Sequence, residues 1–117
     1  MKAFITIILL AGGLFISHAQ IIPETPQTKF EQDIKYNRVS LYILGGITAS
    51  VYKGDAEFQQ KYKITFYDFG CLATSNIDFY KEYNKMVFEY LNKQYDTEWQ
   101  DEIRKDILGW LEWKKKK

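Results

Sequence analysis

The sequence predicts a small α/β domain in which helices pack a two-stranded sheet, in the order β-α-β-α-α. Three observations lead to this class. Two short segments rich in β-branched and aromatic residues, RVSLYILGG at 38–46 and ITFYDF at 64–69, each end at or just before glycine. A short segment that tolerates helix lies between them. Two further segments with helical spacing follow the second strand.

The first predicted strand carries apolar residues on both of its faces. Val39, Leu41 and Ile43 alternate with Tyr42 and Leu44, a pattern typical of a strand that is covered on both sides. A strand-helix-strand connection of this length favours a parallel pair with a right-handed crossover. An antiparallel pair is the alternative in so small a sheet.

The predicted helices differ in length. The one between the strands begins at Asp55, a good N-cap residue, and places Phe58 and Tyr62 on one face. The longest helix is capped by Ser75 or Asn76 and carries an apolar stripe. The stripe consists of Tyr80, Tyr83, Val87, Tyr90 and Leu91. Such a stripe is more often part of the core than a surface for carbohydrate, so we expect it to face the sheet.

A capping-box pattern at 97–100 predicts a last helix, with Gly109 as its stop. We expect the acidic residues of this helix to form a solvated face that pairs with Arg104 and Lys105. They are Glu98, Asp101, Glu102 and Asp106. Trp110 and Trp113 lie beyond the helix and near a charged tail. We therefore regard them as a candidate exposed surface for a partner, with a place in the core as the alternative.

Residues 1–19 have the pattern of a secretory signal peptide. Lys2 precedes an apolar run at 4–16, and Ser17 and Ala19 put small residues at the positions that a signal peptidase reads. We expect cleavage after Ala19 and release into the periplasm or the extracellular space, with no stable membrane anchor. An uncleaved N-terminal anchor is the alternative.

Cleavage after Ala19 divides the rest of the chain into a spacer at 20–37, a domain at 38–113 and a basic tail at 114–117. The mature chain carries 15 basic and 15 acidic side chains, because Lys2 is one of the 16 basic residues. This balance provides no long-range field for capturing nucleic acid. We interpret the four lysines of the tail as solvated, rather than as a contact with RNA or a membrane surface.

The mature chain lacks the residue types on which many catalytic and metal sites depend. The only histidine, His18, lies in the signal peptide, and the only cysteine is Cys71. Catalysis by Ser-His-Asp or Cys-His, His-ligated zinc and paired-thiol redox chemistry are therefore excluded. We predict no metal, no cofactor and a role in binding rather than catalysis.

One motif has residue types suited to a site. In YDFGC, Tyr67, Asp68 and Cys71 lie at the carboxyl end of the second strand, where α/β folds usually build their sites. In the functional interpretation Asp68 is a general base or a ligand-binding carboxylate, with Cys71 and Tyr67 beside it. In the structural interpretation, which we favour, Asp68 accepts backbone N–H groups of residues 70–74 and Cys71 packs as a small hydrophobe.

The segment Phe58-Gln59-Gln60-Lys61-Tyr62, followed by ITFYDFGC at 64–71, resembles the FEKKY-domain proteins of Bacteroidetes. The similarity extends over roughly residues 38–113. Gln59 and Gln60 stand where the family's name has Glu and Lys, on what we expect to be the exposed face of the helix. The resemblance implies a small exported protein with this domain boundary. It supplies no catalytic residue, because the family has no established activity.

Two hypotheses for the function follow. The first is a non-enzymatic interaction module that binds another protein of the cell envelope or the extracellular space, with Trp110 and Trp113 as the contact. The second is a small-ligand binder or an enzyme that uses Asp68 with Cys71. The second predicts a pocket at the strand ends with Asp68 partly exposed.

Overall fold

The computed structural model describes residues 23–45, 51–70 and 76–116. The predicted signal peptide lies outside these residues. The described residues form two strands and five helices. In chain order these are α1 (Pro26–Lys35), β1 (Ser40–Ile43), α2 (Asp55–Tyr62), β2 (Thr65–Asp68), α3 (Ile77–Tyr95), α4 (Trp99–Glu102) and α5 (Trp110–Lys115). Within the described ranges, no helix is both long and apolar enough to cross a membrane.

The two strands form one parallel sheet, which confirms the predicted α/β class and the parallel pairing. Tyr42 lies opposite Tyr67, and Ile43 lies opposite Asp68. Residues Leu41–Ile43 are buried, as expected for a strand that is covered on both sides. Both strands are shorter than predicted.

On the edge of β1 that faces away from β2, the side chain of Asn84 in α3 makes the backbone hydrogen bonds that a neighbouring strand would otherwise make. The amide of Asn84, which is fully buried, accepts the Tyr42 N–H at 2.9 Å and donates to the Tyr42 carbonyl at 2.9 Å. It also donates to the Leu108 carbonyl at 2.9 Å. The Leu108 N–H reaches the Tyr42 carbonyl at 3.1 Å. Asn84 therefore joins α3, β1 and the segment before α5.

The predicted spacer at 20–37 is helical from Pro26 to Lys35, and Phe30 and Ile34 pack against the core. Thr25 caps α1 through reciprocal hydrogen bonds with Thr28, and Pro26 occupies the first turn, where its missing N–H costs nothing. The ring of Phe30 packs edge-on against two tyrosines of α3. α1 therefore belongs to the folded domain.

Asp33 fixes α1 to the core. Its carboxylate, only 2% exposed, accepts the Tyr83 hydroxyl at 2.6 Å and Arg38 Nε at 2.7 Å, and pairs with Lys29 Nζ at 3.2 Å. Burial by itself raises the pKa of Asp33, but the three donors together hold this pKa below its usual range. Burial, together with the hydrogen bond to Asp33, raises the pKa of Tyr83.

We expect this pair to make stability fall at both extremes of pH. The folded pKa of Asp33 is lowered, so its contribution is present above the unfolded pKa of about 3.9 and is lost as the pH falls through the folded pKa. The folded pKa of Tyr83 is raised, so its contribution is present below about pH 10 and is lost as the pH rises further. Urea unfolding of the Asp33→Asn variant should show a weaker loss of stability in acid. Glu31→Gln, an exposed change on the same helix, is the control, and equal acid slopes in Asp33→Asn and the unchanged chain would contradict the assignment.

The C-terminal part differs from the single helix predicted up to Gly109. α4 ends after one turn, and Ile103 is extended, with φ −80° and ψ 147°. The following segment runs beside β1, where Ile107 bridges Ile43 in antiparallel fashion. Gly109 starts α5 in a left-handed conformation, with φ +81°, instead of stopping a helix. Ile103 and Ile107 are four positions apart, a spacing that predicts one face of a helix. Both side chains are buried as expected, but the segment that carries them is extended.

Trp110 and Trp113 are buried, with 2% and 4% exposure, so the prediction that they form an exposed surface is wrong. The turn at Gly109 directs both rings toward α3. There the centroid of the Phe88 ring lies 5.2 Å from that of Trp110 and 5.1 Å from that of Trp113. Trp99 stacks on Phe88 from another side, at 6.0 Å. The three tryptophans and Phe88 form one aromatic cluster of the core.

Candidate functional site

Asp68 ends β2 and binds backbone groups at the ends of both strands. Its Oδ1 accepts the N–H of Gly70 at 2.7 Å and that of Gly45 at 3.1 Å. The bond to Gly70 confirms that Asp68 caps the loop that follows it, and the bond to Gly45 was not foreseen. A Cβ atom at position 45 would collide with this carboxylate, so the close approach requires glycine there. Cys71 lies outside the described residues.

The structure does not bring Tyr67 together with Asp68. Successive side chains of a strand point to opposite faces of the sheet. Tyr67 is 52% exposed and packs against Tyr42 and Phe69 on the face that carries α3. Asp68 lies on the other face, so the two side chains do not form the joint site of the functional interpretation.

A cavity of about 180 Å³ lies beside Asp68 at the carboxyl ends of the strands. We call it the strand-end cavity. Its lining contains both apolar and polar residues. The apolar residues are Ile43, Val51 and Phe66, and the polar ones are Asp55, Gln59, Asp68 and Arg104. Asp68 is partly exposed, as the ligand-binding hypothesis predicted.

Arg104 is buried beside the cavity, with 5% of its side chain exposed, so the prediction of a solvated face is wrong for this residue, although its pairing with Asp106 is as predicted. Its Nη1 donates to Asp55 at 2.9 Å, while Nε and Nη2 form a bidentate pair with Asp106 at 2.7 Å each. The hydrogen bonds to Asp106 hold the pKa of Arg104 above its usual range and that of Asp106 below it. The ring of Tyr52 lies 4.2 Å from the guanidinium carbon. The chain is extended after α4, and this extended segment places the Arg104 side chain against Asp55 instead of on the exposed face of a helix.

Asp55 is the first residue of α2 rather than its cap, because Gly54 occupies the cap position. Its Oδ2 accepts the N–H of Tyr52 at 2.9 Å in addition to the bond from Arg104. These bonds fix the start of α2 against the extended segment that carries Arg104. The same carboxylate therefore shapes one wall of the cavity.

Gln59 is half-buried, which corrects the expectation that it lies on the exposed face of α2. Its Oε1 accepts the N–H of Phe66 at 2.9 Å, on the edge of β2 that faces away from β1. Only the oxygen of an amide can accept this N–H, so the orientation of the side chain is fixed. Its NH₂ group is the free end, with no acceptor among the described residues. Gln60 is exposed as expected.

The remaining residues of the Phe58–Tyr62 segment are structural. Phe58 and Tyr62 are buried. The Tyr62 hydroxyl donates to Glu102 at 2.6 Å, and Lys61 Nζ lies 3.1 Å from the same carboxylate. Hydrogen bonds from these two donors lower the pKa of Glu102. Glu102 therefore pairs with α2, and not with Arg104 or Lys105 as the sequence suggested.

The described residues of the strand-end cavity combine carboxylate, amide and guanidinium groups with apolar side chains. The described side chains that line the cavity include no hydroxyl, thiol or amine that could serve as a nucleophile beside a base. Among the described residues, no group of three or more His, Cys, Asp or Glu side chains could hold a metal ion.

The fold defines a class, a small α/β domain, here with a cavity at the carboxyl ends of two parallel strands. No family model, curated protein or solved structure matches the chain. The class therefore rests on the structure itself.

Proposed function

We propose that the chain is an exported, non-enzymatic binding domain of the cell envelope or the extracellular space, and that it binds through the strand-end cavity. The observation that carries the proposal is the cavity itself. It lies where α/β sheets usually bind ligands, and its lining combines apolar side chains with a few hydrogen-bonded polar groups. The signal-peptide pattern of residues 1–19 supports export.

The sequence resemblance to the FEKKY-domain proteins agrees with this proposal, and we propose membership in that family on the residues given above. The binding point moves from the C-terminal tryptophans, which belong to the core, to the carboxyl ends of the strands. The alternative of an enzyme that uses Asp68 with Cys71 stays a prediction, because Cys71 lies outside the described residues.

A fragment screen followed by NMR tests the proposal. The ¹⁵N-labelled mature chain, residues 20–117, is titrated with small neutral, cationic and anionic compounds. We expect at least one class of compound to shift the backbone signals of Ile43, Phe66 and Asp68 in a saturable way. Val51→Trp should abolish these shifts, because Val51 is highly exposed and lines the cavity, so that a larger ring there covers it without disturbing the core.

Leu111→Trp is the matched control, since Leu111 is also highly exposed but lies on α5, away from the cavity. This variant should keep all the shifts. A screen in which no compound shifts the cavity residues would overturn the proposal, as would shifts that persist unchanged in Val51→Trp.

A further inference from the structure

We infer that the outer face of α5 binds reversibly to the surface of a membrane that contains anionic lipids. Leu111 and Lys115 lie on this face, with Lys114 and Lys105 beside them, and we call these four residues the basic face. The inference goes beyond the proposed function, because none of these residues lines the strand-end cavity. It rests on where the lysines lie in the fold, on their uncompensated charge and on the exposed leucine.

The lysine run near the C-terminus continues the last helix of the domain. α5 ends at Lys115, so Lys114 and Lys115 lie in its last turn. Trp110 and Trp113 are buried and fix the orientation of this helix. Leu111 and Lys115 are four positions apart, a spacing that places them together on the face opposite the two tryptophans. The fold therefore holds these side chains at a defined place on its surface.

Two of the lysines are bound to a neutral residue instead of a carboxylate. Lys105 Nζ donates to the backbone carbonyl of Gln100 at 2.8 Å, and Lys114 Nζ donates to Oε1 of the same residue at 2.6 Å. The two ammonium nitrogens also lie 5.2 Å and 5.7 Å from the centroid of the Trp110 ring. Asp101, the next residue after Gln100, pairs with neither lysine. Gln100 thus brings two positive charges together and neutralises neither.

The carboxylates near the basic face are engaged elsewhere. Within the described ranges, Lys105, Lys114 and Lys115 form no ion pair. Glu112, the acidic residue of α5, pairs with a lysine of α3 at 3.3 Å, and Asp106 pairs with the buried arginine beside the cavity at 2.7 Å. The charge of the basic face is therefore free to attract an anionic surface, over a range set by the Debye length.

Leu111 adds an apolar contact among these charges. It is 65% exposed. A single exposed leucine is common on protein surfaces, but an exposed apolar side chain surrounded by lysines is typical of a helix that lies in a membrane interface. There the apolar side chain enters the boundary below the headgroups, and the flexible lysines reach the lipid phosphates. The two contributions act together, because each is weak by itself.

A membrane surface fits this face better than a nucleic acid does. Leu111 and Lys115 lie on the outside of one helix, so a flat surface can contact both at the same time. A nucleic acid would pair with the lysines and leave Leu111 in water. The signal-peptide pattern of residues 1–19 also predicts a location beside a membrane and away from nucleic acid.

Sedimentation with lipid vesicles tests the inference on the mature chain, residues 20–117. One set of vesicles contains phosphatidylglycerol and phosphatidylcholine in equal amounts, and vesicles of phosphatidylcholine alone are the neutral reference. Each lysine near an anionic surface contributes about a fivefold gain, so Lys105 and residues 114–116 together predict half-binding at roughly 1 mM lipid in low salt. Raising NaCl from about 25 mM to about 500 mM should release the protein. Neutral vesicles should not retain it.

The combined change of Lys114→Gln and Lys115→Gln should weaken binding to the anionic vesicles roughly 25-fold, because it removes two of these contributions. Lys35→Gln with Lys93→Gln is the matched control. It removes the same charge from exposed positions on α1 and α3, and it should leave binding within a factor of about two. An unchanged Tm and an unchanged circular dichroism spectrum in both double variants show that the fold is intact.

Leu111→Ser separates the apolar contribution from the electrostatic one. This change keeps every charge, and it should weaken binding to the anionic vesicles about threefold or more, because the serine gains nothing from entering the interface. The same variant is compared with the unchanged chain on duplex DNA and on poly-L-glutamate. These soluble polyanions contact lysines only, so Leu111→Ser should not alter binding to them.

Binding to the anionic vesicles that both the lysine and the leucine changes weaken supports the inference. It is overturned if the unchanged chain does not bind these vesicles in low salt, or if the lysine variant binds as tightly as its control. It is also overturned if Leu111→Ser leaves vesicle binding unchanged, or if DNA or poly-L-glutamate binds more tightly than the vesicles. The basic face would then recognise a soluble polyanion, such as a nucleic acid or an acidic protein.

Discussion

Replacing Trp110 with alanine should lower the free energy of unfolding by about 3–5 kcal/mol, the range measured for removing a large aromatic side chain from a core. Trp110 is 2% exposed and contacts Phe88, Trp99 and Trp113 with ring centroids 5.2–5.8 Å apart. Its removal leaves a cavity that three aromatic rings cannot fill. Since small domains have only about 5–15 kcal/mol in total, we expect a large drop in Tm.

Leu111→Ala is the matched control for Trp110→Ala. Leu111 is the next residue in α5 and is 65% exposed, so its truncation should change the free energy of unfolding by no more than about 0.5 kcal/mol. Thermal and urea unfolding followed by tryptophan fluorescence and circular dichroism measure both variants. If Trp110→Ala keeps a Tm close to that of Leu111→Ala, the aromatic cluster does not stabilise the domain as described. A loss of partner binding in Trp110→Ala would reflect unfolding and not a lost contact.

Asn84→Leu should be destabilising by about 3 kcal/mol or more, although the two side chains have similar size. The Tyr42 N–H and the Leu108 carbonyl would lose the hydrogen bonds that the amide supplies, and each buried group left without a partner costs about 1–3 kcal/mol. The Tyr42 carbonyl keeps its bond from the Leu108 N–H. Urea unfolding measures the loss, and amide exchange at Tyr42 reports on the bond itself.

Gln94→Leu separates this effect from a general response of α3 to a polar-to-apolar change. Gln94 is exposed on the same helix, so its replacement should cost no more than about 0.5 kcal/mol. Asn84→Asp should be at least as damaging as Asn84→Leu, because it places a carboxylate against two carbonyl oxygens. A stable Asn84→Leu variant with unchanged amide exchange at Tyr42 would contradict the role given to Asn84.

The sequence predicted correctly those parts of the fold that show as a regular spacing of apolar residues within one strand or helix. The apolar alternation of β1 gave the correct strand, and the stripe of α3 placed Tyr83, Val87 and Leu91 in the core, where they are fully buried. The parallel pairing followed from the length of the connection. In each case the information lies within a few residues of the element that it describes.

The features that the sequence missed depend on contacts between distant residues. Asn84 and Tyr42 are 42 positions apart, and Arg104 and Asp55 are 49 apart. No local pattern distinguishes a buried Arg104 from a solvated one. Residues 20–37 were predicted as a spacer, although Pro26 directly after Thr25 is a helix start. Near the C-terminus, the helical spacing of Ile103 and Ile107 led to the prediction of a helix where the chain is extended.

The candidate site was predictable only in part, for the same reason. The loop-capping role of Asp68 is local and was foreseen at Gly70. The bond to Gly45 depends on the register of the strands, and the contribution of Gln59 depends on how α2 packs against β2. The sequence therefore identified Asp68 as a residue of the site, but it did not predict that Asp55, Gln59 and Arg104 line the same cavity.

The side chains that border the sheet also bear on aggregation. An exposed strand edge is a template on which a second chain can add a strand, the first step toward amyloid-like growth. At Phe66 the outward N–H of β2 is occupied by Gln59, and on the far side of β1 the groups of Tyr42 are occupied by Asn84 and Leu108. Two amide side chains thus occupy backbone groups through which a further strand could pair with this sheet of two strands.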